Sequence, residues 1–307
     1  MWHAWRATPG NCGKDAVSAS TQAGAQRAKW VLASPLILFA AVFVAFPLFQ
    51  GIQTSFYGLT LQDPAAPLVG WRNFADLFAS PGFLNAARFT VGFAVVVTTI
   101  ETVLGLTLAL LMNRAFPGKK VIFTFFLLPI MIAPALLGVM FRLLLNGDIG
   151  LVPALLSKVG LDVSLFAPDT IVPMIVLLDI LQWTPFTFLI IYAGLQSFPT
   201  DLLEAAQIDG AGRWRTLMSI TLPIMKPIIF AAVFLRLIDA IRTFDVIYVL
   251  TAGGPGTSTT TLSIFIYKTA FESGNFGLAA AGSTVIMIAL IPLVPVLVKR
   301  IARTEKS

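Results

Sequence analysis

The sequence has few of the residues from which enzyme sites are usually built. It contains one cysteine, Cys12, and one histidine, His3, both in a polar N-terminal stretch. A single cysteine excludes an intramolecular disulfide, and no cluster of metal-ligating residues or Cys/His pair can be assembled around these two. The phosphate-binding pattern G-x-x-x-x-G-K-[ST] is also missing, since residues 117–120 lack its first glycine and its hydroxyl residue. We therefore expect no catalysis, no metal and no ATP binding in this chain itself.

Charged residues are equally scarce. Only 12% of the 307 residues are charged and 57% are hydrophobic, which gives a mean hydropathy of +0.86. A soluble domain of this length would be far more polar, so the composition indicates a protein of the lipid bilayer. The net charge of +6 is then better explained by membrane orientation than by a nucleic-acid surface.

Six apolar runs approach or exceed the ~20 residues that a helix needs to cross the hydrocarbon core. The first run is longer than the apolar region of a secretory signal, so we interpret it as a retained span. Since helices satisfy their backbone hydrogen bonds internally, we predict an all-α membrane protein with a bundle of six transmembrane helices over residues 30–300. The predicted spans are residues 30–51, 89–112, 121–145, 171–195, 228–250 and 276–298.

The distribution of lysine and arginine predicts the orientation. The two termini and the segments that lie on the same side of the predicted spans hold fourteen of these residues. The segments on the opposite side hold four, namely Arg72, Arg88, Lys158 and Lys268. The positive-inside rule therefore places both termini in the cytoplasm. Residues 1–29 are predicted to form a flexible cytoplasmic tail, and residues 301–307 a short second one.

A long charged connection, residues 196–227, lies on this cytoplasmic side. Thr200 is a candidate N-cap for a run of helix-forming residues, and Gly210 and Gly212 interrupt that run before a second short helical stretch. The pattern predicts a helix, a glycine elbow and a second helix.

This run resembles the EAA loop of permease subunits of ATP-binding-cassette (ABC) importers. The family pattern is E-A-A, three residues, G, nine residues and I-x-L-P. Its residues stand here at the same spacing, together with Asp209 beside the glycine: Glu204, Ala205, Ala206, Gly210, Ile220, Leu222 and Pro223. In that family the loop forms the coupling helix that docks on the ATPase subunit, and the resemblance implies the same role here.

The resemblance also implies a fold and a set of partners. We expect the MetI-like fold of type I ABC importers in the cytoplasmic membrane. The implied partners are a second homologous permease, two copies of an ATPase that binds ATP and Mg, and an extracytoplasmic solute-binding protein. The outer segments 68–83 and 251–260 resemble those of sugar permeases, which implies a sugar or related polyhydroxy substrate.

The fifth predicted span carries four charged residues at intervals of three: Arg236, Asp239, Arg242 and Asp245. Such groups are costly in the bilayer and require an interior or hydrated location. They could line a solute path, where carboxylates and guanidinium groups hydrogen-bond hydroxyls, or they could form a structural network of ion pairs. Trp183 could stack against a sugar ring or simply pack. We take Trp183, Asp239, Arg242 and Asp245 as the candidate path, and we expect Glu101 to stabilise the bundle.

Two other functions remain open at this point. A secondary carrier would use Glu101, Asp179 or Asp239 as a proton relay, although no internal repeat supports that architecture. A membrane scaffold would only recruit a soluble partner, and its deletion would leave solute uptake unaffected.

Overall fold

The computed structural model describes residues 29, 31–63, 65–160, 164–197, 202, 204, 206, 208–292 and 295. Within this part of the chain every regular element is a helix, and strand pairing is limited to two isolated bridges, Tyr57–Leu68 and Thr60–Asn275. The all-α prediction is confirmed. The predicted N-terminal tail, apart from Lys29, and the C-terminal tail lie outside the described residues, as does Ala205.

The chain divides after Gln53 into two units. The first unit contains helix α1, Val31–Thr54, which includes a π-helical segment at Ala41–Ala45. None of the residues in its most apolar 18-residue window is buried. A helix that is apolar on every side, without a polar face for water, suits a bilayer.

Eleven helices of the second unit have both ends among the described residues. Two π-helical segments extend them, Leu217–Thr221 between α8 and α9 and Lys268–Glu272 after α11. The helices are α2 (Arg72–Ala79), α3 (Pro81–Met112), α4 (Lys119–Met131), α5 (Pro134–Leu144), α6 (Leu151–Lys158), α7 (Pro168–Gln196), α8 (Arg213–Thr216), α9 (Leu222–Ile241), α10 (Asp245–Thr251), α11 (Leu262–Tyr267) and α12 (Phe276–Leu290).

Local signals explain where several of these helices begin. Ser80 precedes Pro81, and its hydroxyl accepts a hydrogen bond from the Phe83 amide at the start of α3. Thr261 and Asn275 cap α11 and α12 in the same way. A hydroxyl or amide oxygen before the first turn satisfies one of the free N–H groups of a helix, and proline fits the first helical position.

The first, second and fourth predicted spans are helical throughout their described length, whereas the third and fifth are broken and the helix of the sixth ends at Leu290. Among the described residues four helices are long and apolar enough to cross a membrane, or five if the bent pair α4 and α5 is one span. Helices α4 and α5 meet at a bend of 97°, because Pro134 has no N–H to donate and forces Ala133 out of the helical region. The fifth span is interrupted at residues 242–244, between α9 and α10. The sixth span is helical over Phe276–Leu290, and the described chain ends near it.

Helices α3, α7 and α9 form the centre of the second unit. One apolar cluster lies towards the beginning of α3 and includes Val97 and Leu178. A second cluster lies towards its end and includes Ala109 and Phe188. Between the two clusters, both in sequence and in space, lies a layer of buried charged groups, which includes Glu101.

Candidate functional site

A buried charge cluster joins the three central helices. Arg236 on α9 has no exposed surface, and its guanidinium group binds both carboxylate oxygens of Glu101 on α3, at 2.5 and 3.1 Å. It also binds Asp179 on α7 and, at 3.1 Å, Asp239 one turn further along α9. Four of the five N–H donors of an arginine are thereby used. Glu101 therefore joins α3 to α9, as expected of a residue that pairs within the bundle.

The carboxylates of this cluster differ in their exposure. Glu101 and Asp179 are buried, whereas 47% of the Asp239 side chain is exposed. The guanidinium group of Arg236 also lies 5.2 Å from the ring centre of Trp183, at cation–π distance. Arg236 therefore links the buried carboxylates of Glu101 and Asp179 to Asp239 and Trp183, whose side chains reach an open space.

That open space is a cavity of about 150 Å³ at the break between α9 and α10. It brings together all four residues of the predicted path, Trp183, Asp239, Arg242 and Asp245. Pro134, from the start of α5, lines the same cavity, so both broken spans meet there. The remaining lining residues are Thr243, Phe244 and Val246.

The break corrects one element of the sequence analysis. The spacing of three was interpreted on a continuous helix, in which each charge would lie beside the next. Helix α9 ends at Ile241, however, and Arg242 and Asp245 flank the irregular residues between it and α10. Of the four charges, Arg236 and Asp239 form an ion pair, while Arg242 and Asp245 are exposed at the cavity.

The predicted coupling loop begins with a helix that ends at a glycine. Residues 204, 206 and 208 are helical, Glu204 is exposed and Ala206 is buried. Gly210 has a left-handed backbone with φ of +72°, and the Ala211 amide donates to the Ala206 carbonyl at 2.9 Å. This bond across a left-handed glycine is the Schellman arrangement, which explains the glycine of the motif. Asp209 lies exposed in the turn.

The second half of the loop leads directly into the membrane. From Arg213 the chain continues as a helical stretch to Thr251, which includes the π-helical segment Leu217–Thr221 and the break at 242–244. Ile220 lies in the π segment, and Leu222 and Pro223 begin α9. Proline at this position removes one N–H from the helical ladder, and the π segment occupies the turn that precedes it. The loop and the charge cluster therefore belong to one stretch of helix.

Sequence reasoning missed the partners of Arg236 on the other helices and the lining role of Thr243 and Phe244. Glu101 and Asp179 were identified as intramembrane acids, but their convergence on one guanidinium requires the packing of α3, α7 and α9. Among the described residues, no group of three or more His, Cys, Asp or Glu side chains is arranged to hold a metal ion.

Comparisons with known proteins identify the family. The model of a family described as "Binding-protein-dependent transport system inner membrane component" matches residues 101–306. The trehalose/maltose transport system permease protein MalF of Thermococcus litoralis is 34% identical over 272 residues, which cover 88% of this chain and 92% of that protein. The sulfoquinovosyl glycerol transport system permease protein SmoG of Agrobacterium fabrum is 33% identical over 278 residues, 90% of each chain.

Solved structures agree with the sequence relatives. A chain from the crystal structure of a bacterial alginate ABC transporter, in complex with an alginate pentasaccharide-bound periplasmic protein, has a TM-score of 0.77 at 25% identity. The alignment covers 90% of this chain and 94% of that chain. The MetI-like fold predicted from the sequence is confirmed, and the findings give no support to the secondary-carrier alternative. The chain is a multi-pass membrane protein that belongs to the family of binding-protein-dependent transport system inner membrane components, the permeases of ABC importers.

Proposed function

We propose that this permease carries a sugar or related polyhydroxy solute across the cytoplasmic membrane, driven by ATP hydrolysis in separate ATPase subunits. The observation that carries the proposal is the cavity at the α9–α10 break, in which an aromatic ring, two carboxylates and a guanidinium group converge. The permeases to which the chain is similar include those named for trehalose, maltose and sulfoquinovosyl glycerol.

The chemistry of the cavity suits hydroxyl groups. Asp239 and Asp245 can accept hydrogen bonds from a sugar, Arg242 can donate them, and the ring of Trp183 can pack against the apolar face of a pyranose. Arg236 is engaged by three carboxylates, so we assign it to supporting Asp239 and Trp183 and not to the solute.

The size of the cavity favours a path shared with a second permease. About 150 Å³ is half or less of the volume of an ordinary small-molecule pocket, ~300–1,000 Å³. We propose that a homologous permease subunit supplies the opposite wall, and that an extracytoplasmic solute-binding protein delivers the solute to it.

The solute path is tested by substitutions at the cavity. In the complete importer we expect Asp239→Asn and Arg242→Ala each to lower the rate of solute uptake by ~10-fold or more, because each removes a group that orients the solute. Assembly of the complex, followed by co-purification of the subunits, should be unchanged. Asp76→Asn is the matched control, since Asp76 is an exposed partner of Arg72 on α2. Normal uptake kinetics in both cavity variants would mean that Asp239 and Arg242 have a structural role and do not contact the solute.

We further propose that the loop at residues 196–227 is the coupling element. Two large apolar side chains next to the glycine turn are exposed, Ile208 at 86% and Trp214 at 71%. Exposed apolar groups on an otherwise charged loop are typical of a docking surface. In the proposed complex they contact one of two ATPase subunits, which bind ATP and Mg, on the cytoplasmic side where both termini of this chain also lie.

The mechanism follows from the continuity of the helix. Closure of the ATPase dimer would move the docked loop, and the helical stretch from Arg213 would carry that movement to Arg236 and to the cavity at Arg242. The loop biases the transporter towards one opening because its contacts with the two states of the ATPase differ.

A pair of glycine variants tests the coupling. Both Gly210 and Gly212 have open space where a side chain would begin, but only Gly210 has a positive φ. We expect Gly210→Leu to leave the protein in the membrane while it abolishes ATPase binding or solute-stimulated ATP hydrolysis, because a leucine strains the turn that shapes the loop. Gly212→Leu adds the same bulk without the strain and should retain coupling. If pulldown of the ATPase and solute-stimulated hydrolysis are unchanged in Gly210→Leu, the docking assignment is incorrect.

A further inference from the structure

We propose that Thr261 and Ser263, which lie outside the cavity, are positioning residues that set the geometry of its wall. Their hydroxyl groups hold the backbone of the break between α9 and α10, the segment that presents Arg242 and Asp245. The assignment of that wall to the solute path rests on the function proposed above.

The break releases backbone carbonyl groups from helical hydrogen bonding. At a helix end the last carbonyls have no partner within the helix, and in a membrane interior water cannot replace it freely. Ser263 donates its hydroxyl to the Arg242 carbonyl at 3.2 Å, and Thr261 donates to the Thr243 carbonyl at 3.1 Å. Two carbonyls at the centre of the break are therefore held by side chains that are distant in sequence.

Thr261 connects the break to the start of α11, which is itself bonded to α3. Its side chain is fully buried, and the same hydroxyl that donates to Thr243 accepts the Ile264 amide as the N-cap of α11. The amide of Leu262, the residue after Thr261, donates to the Thr90 hydroxyl of α3 at 2.8 Å. The start of α11 is thus attached to the central helix α3, and the break is attached to the start of α11.

The segment that leads to Thr261 is ordered by its own hydrogen bonds. The Thr259 hydroxyl contacts that of Thr251 at 2.8 Å and the Gly254 carbonyl at 2.8 Å. The Thr260 hydroxyl donates to the Gly253 carbonyl at 2.9 Å. These bonds close the loop on itself and do not reach the break.

Thr260 is therefore a matched control for Thr261. Both are buried threonines in consecutive positions, and each donates its hydroxyl to a backbone carbonyl. Valine in either position keeps the shape and loses the hydrogen bond, but only Thr261→Val releases a carbonyl of the cavity wall. Because Thr261→Val also removes the N-cap of α11, Ser263→Ala, which releases the Arg242 carbonyl and leaves that cap in place, completes the comparison. A general loss of packing would affect the two variants alike.

The first test measures transport by the complete importer in proteoliposomes at saturating binding protein. We expect Thr261→Val to lower the number of solute molecules moved per ATP by ~10-fold and to change the relative uptake rates of a panel of radiolabelled sugars and polyols, since small displacements of orienting groups have effects of this size. Ser263→Ala should act in the same direction and more weakly. Thr260→Val should retain the wild-type ratio and ranking, and Thr261→Ser, which keeps the hydroxyl, should restore both.

The second test needs no transport. Cys12 is the one cysteine of the chain, so Asp245→Cys in a Cys12→Ser background gives a single reporter at the cavity wall. We expect Thr261→Val, but not Thr260→Val, to change its alkylation rate several-fold.

The outcomes separate the two proposals. If the wild-type complex takes up none of the sugars with ATP, the proposed function fails, and the alkylation test still decides whether the hydroxyls hold the wall. If wild-type transport is normal and Thr261→Val matches Thr260→Val in both assays, the positioning role is refuted.

Discussion

At the scale of single residues, Arg236 is the side chain on which the central packing depends. It is buried between two apolar clusters, and its guanidinium group binds carboxylates from α3 and α7 that are both buried. A buried ion pair of this kind contributes little compared with a well-packed apolar group, but removing one member leaves the others without compensation.

We therefore predict that Arg236→Met destabilises the protein by about 3–5 kcal/mol, because Glu101 and Asp179 then remain buried without a counter-charge. Thermal unfolding of the detergent-purified protein should show a large decrease in Tm. Arg72→Met is the control, since Arg72 forms an exposed pair with Asp76 at 3.8 Å, and surface pairs of this kind contribute little. Adding Glu101→Gln to Arg236→Met should recover part of the loss. Equal Tm values for Arg236→Met and Arg72→Met would contradict the account.

The residue types of this site could be identified from the sequence, whereas their pairing could not. Charged residues in apolar runs stand out because they are costly there, so Glu101, Asp179 and Arg236 were all found. Which of them meet depends on the rotation of α3, α7 and α9 about their axes, and the uniformly apolar faces of these helices carry little periodicity from which to infer it.

At the scale of secondary-structure elements, the contact between α3 and α7 requires a glycine. A methyl group at Gly105 would lie 2.7 Å from the Thr187 hydroxyl and 2.9 Å from the Phe188 amide nitrogen. Small residues allow membrane helices to approach closely, and here the Thr187 hydroxyl of α7 donates to the Glu101 carbonyl of α3 at 3.0 Å.

We predict that Gly105→Ala separates α3 from α7 and weakens the bundle, because the obstructing Phe188 atom belongs to the backbone and cannot rotate away. Gly92→Ala on the same helix should be neutral or slightly stabilising, since no atom lies within 4 Å of the added carbon and alanine favours a helix over glycine by roughly 1 kcal/mol. Thermal unfolding and ATPase co-purification of the two variants provide the comparison. Equal stability of the two would mean that the close approach is not required.

The helices and their breaks differ in how far they could be predicted from the sequence. Hydropathy and length predicted six spans, since a bilayer imposes both, and the described residues contain four helices long and apolar enough to cross a membrane, or five if the bent pair α4 and α5 is one span. The break at Pro134 follows from a proline, but the break at Arg242–Phe244 contains neither proline nor glycine. It depends on partners supplied by the tertiary fold, the hydroxyls of Thr261 and Ser263, so no local signal could predict it.

At the scale of the whole molecule, the loop, the charge cluster and the cavity follow one another along a single stretch of the chain. The loop with Gly210 leads into the helical stretch from Arg213 to Thr251, which carries first the charge cluster and then the cavity. The EAA-like pattern predicted a glycine turn in this loop, and Gly210 has the left-handed backbone that such a turn requires. In the proposed function, energy input and solute contact lie at opposite ends of this helical stretch.

The central claim is that ATP hydrolysis by a partner drives solute movement through this chain, and uptake by the reconstituted importer tests it most directly. We predict sugar uptake that requires ATP and the ATPase subunits, persists when the proton gradient is collapsed, and is lost in Gly210→Leu but retained in Gly212→Leu. Uptake that continues without ATP and stops when the proton gradient is removed would contradict the account.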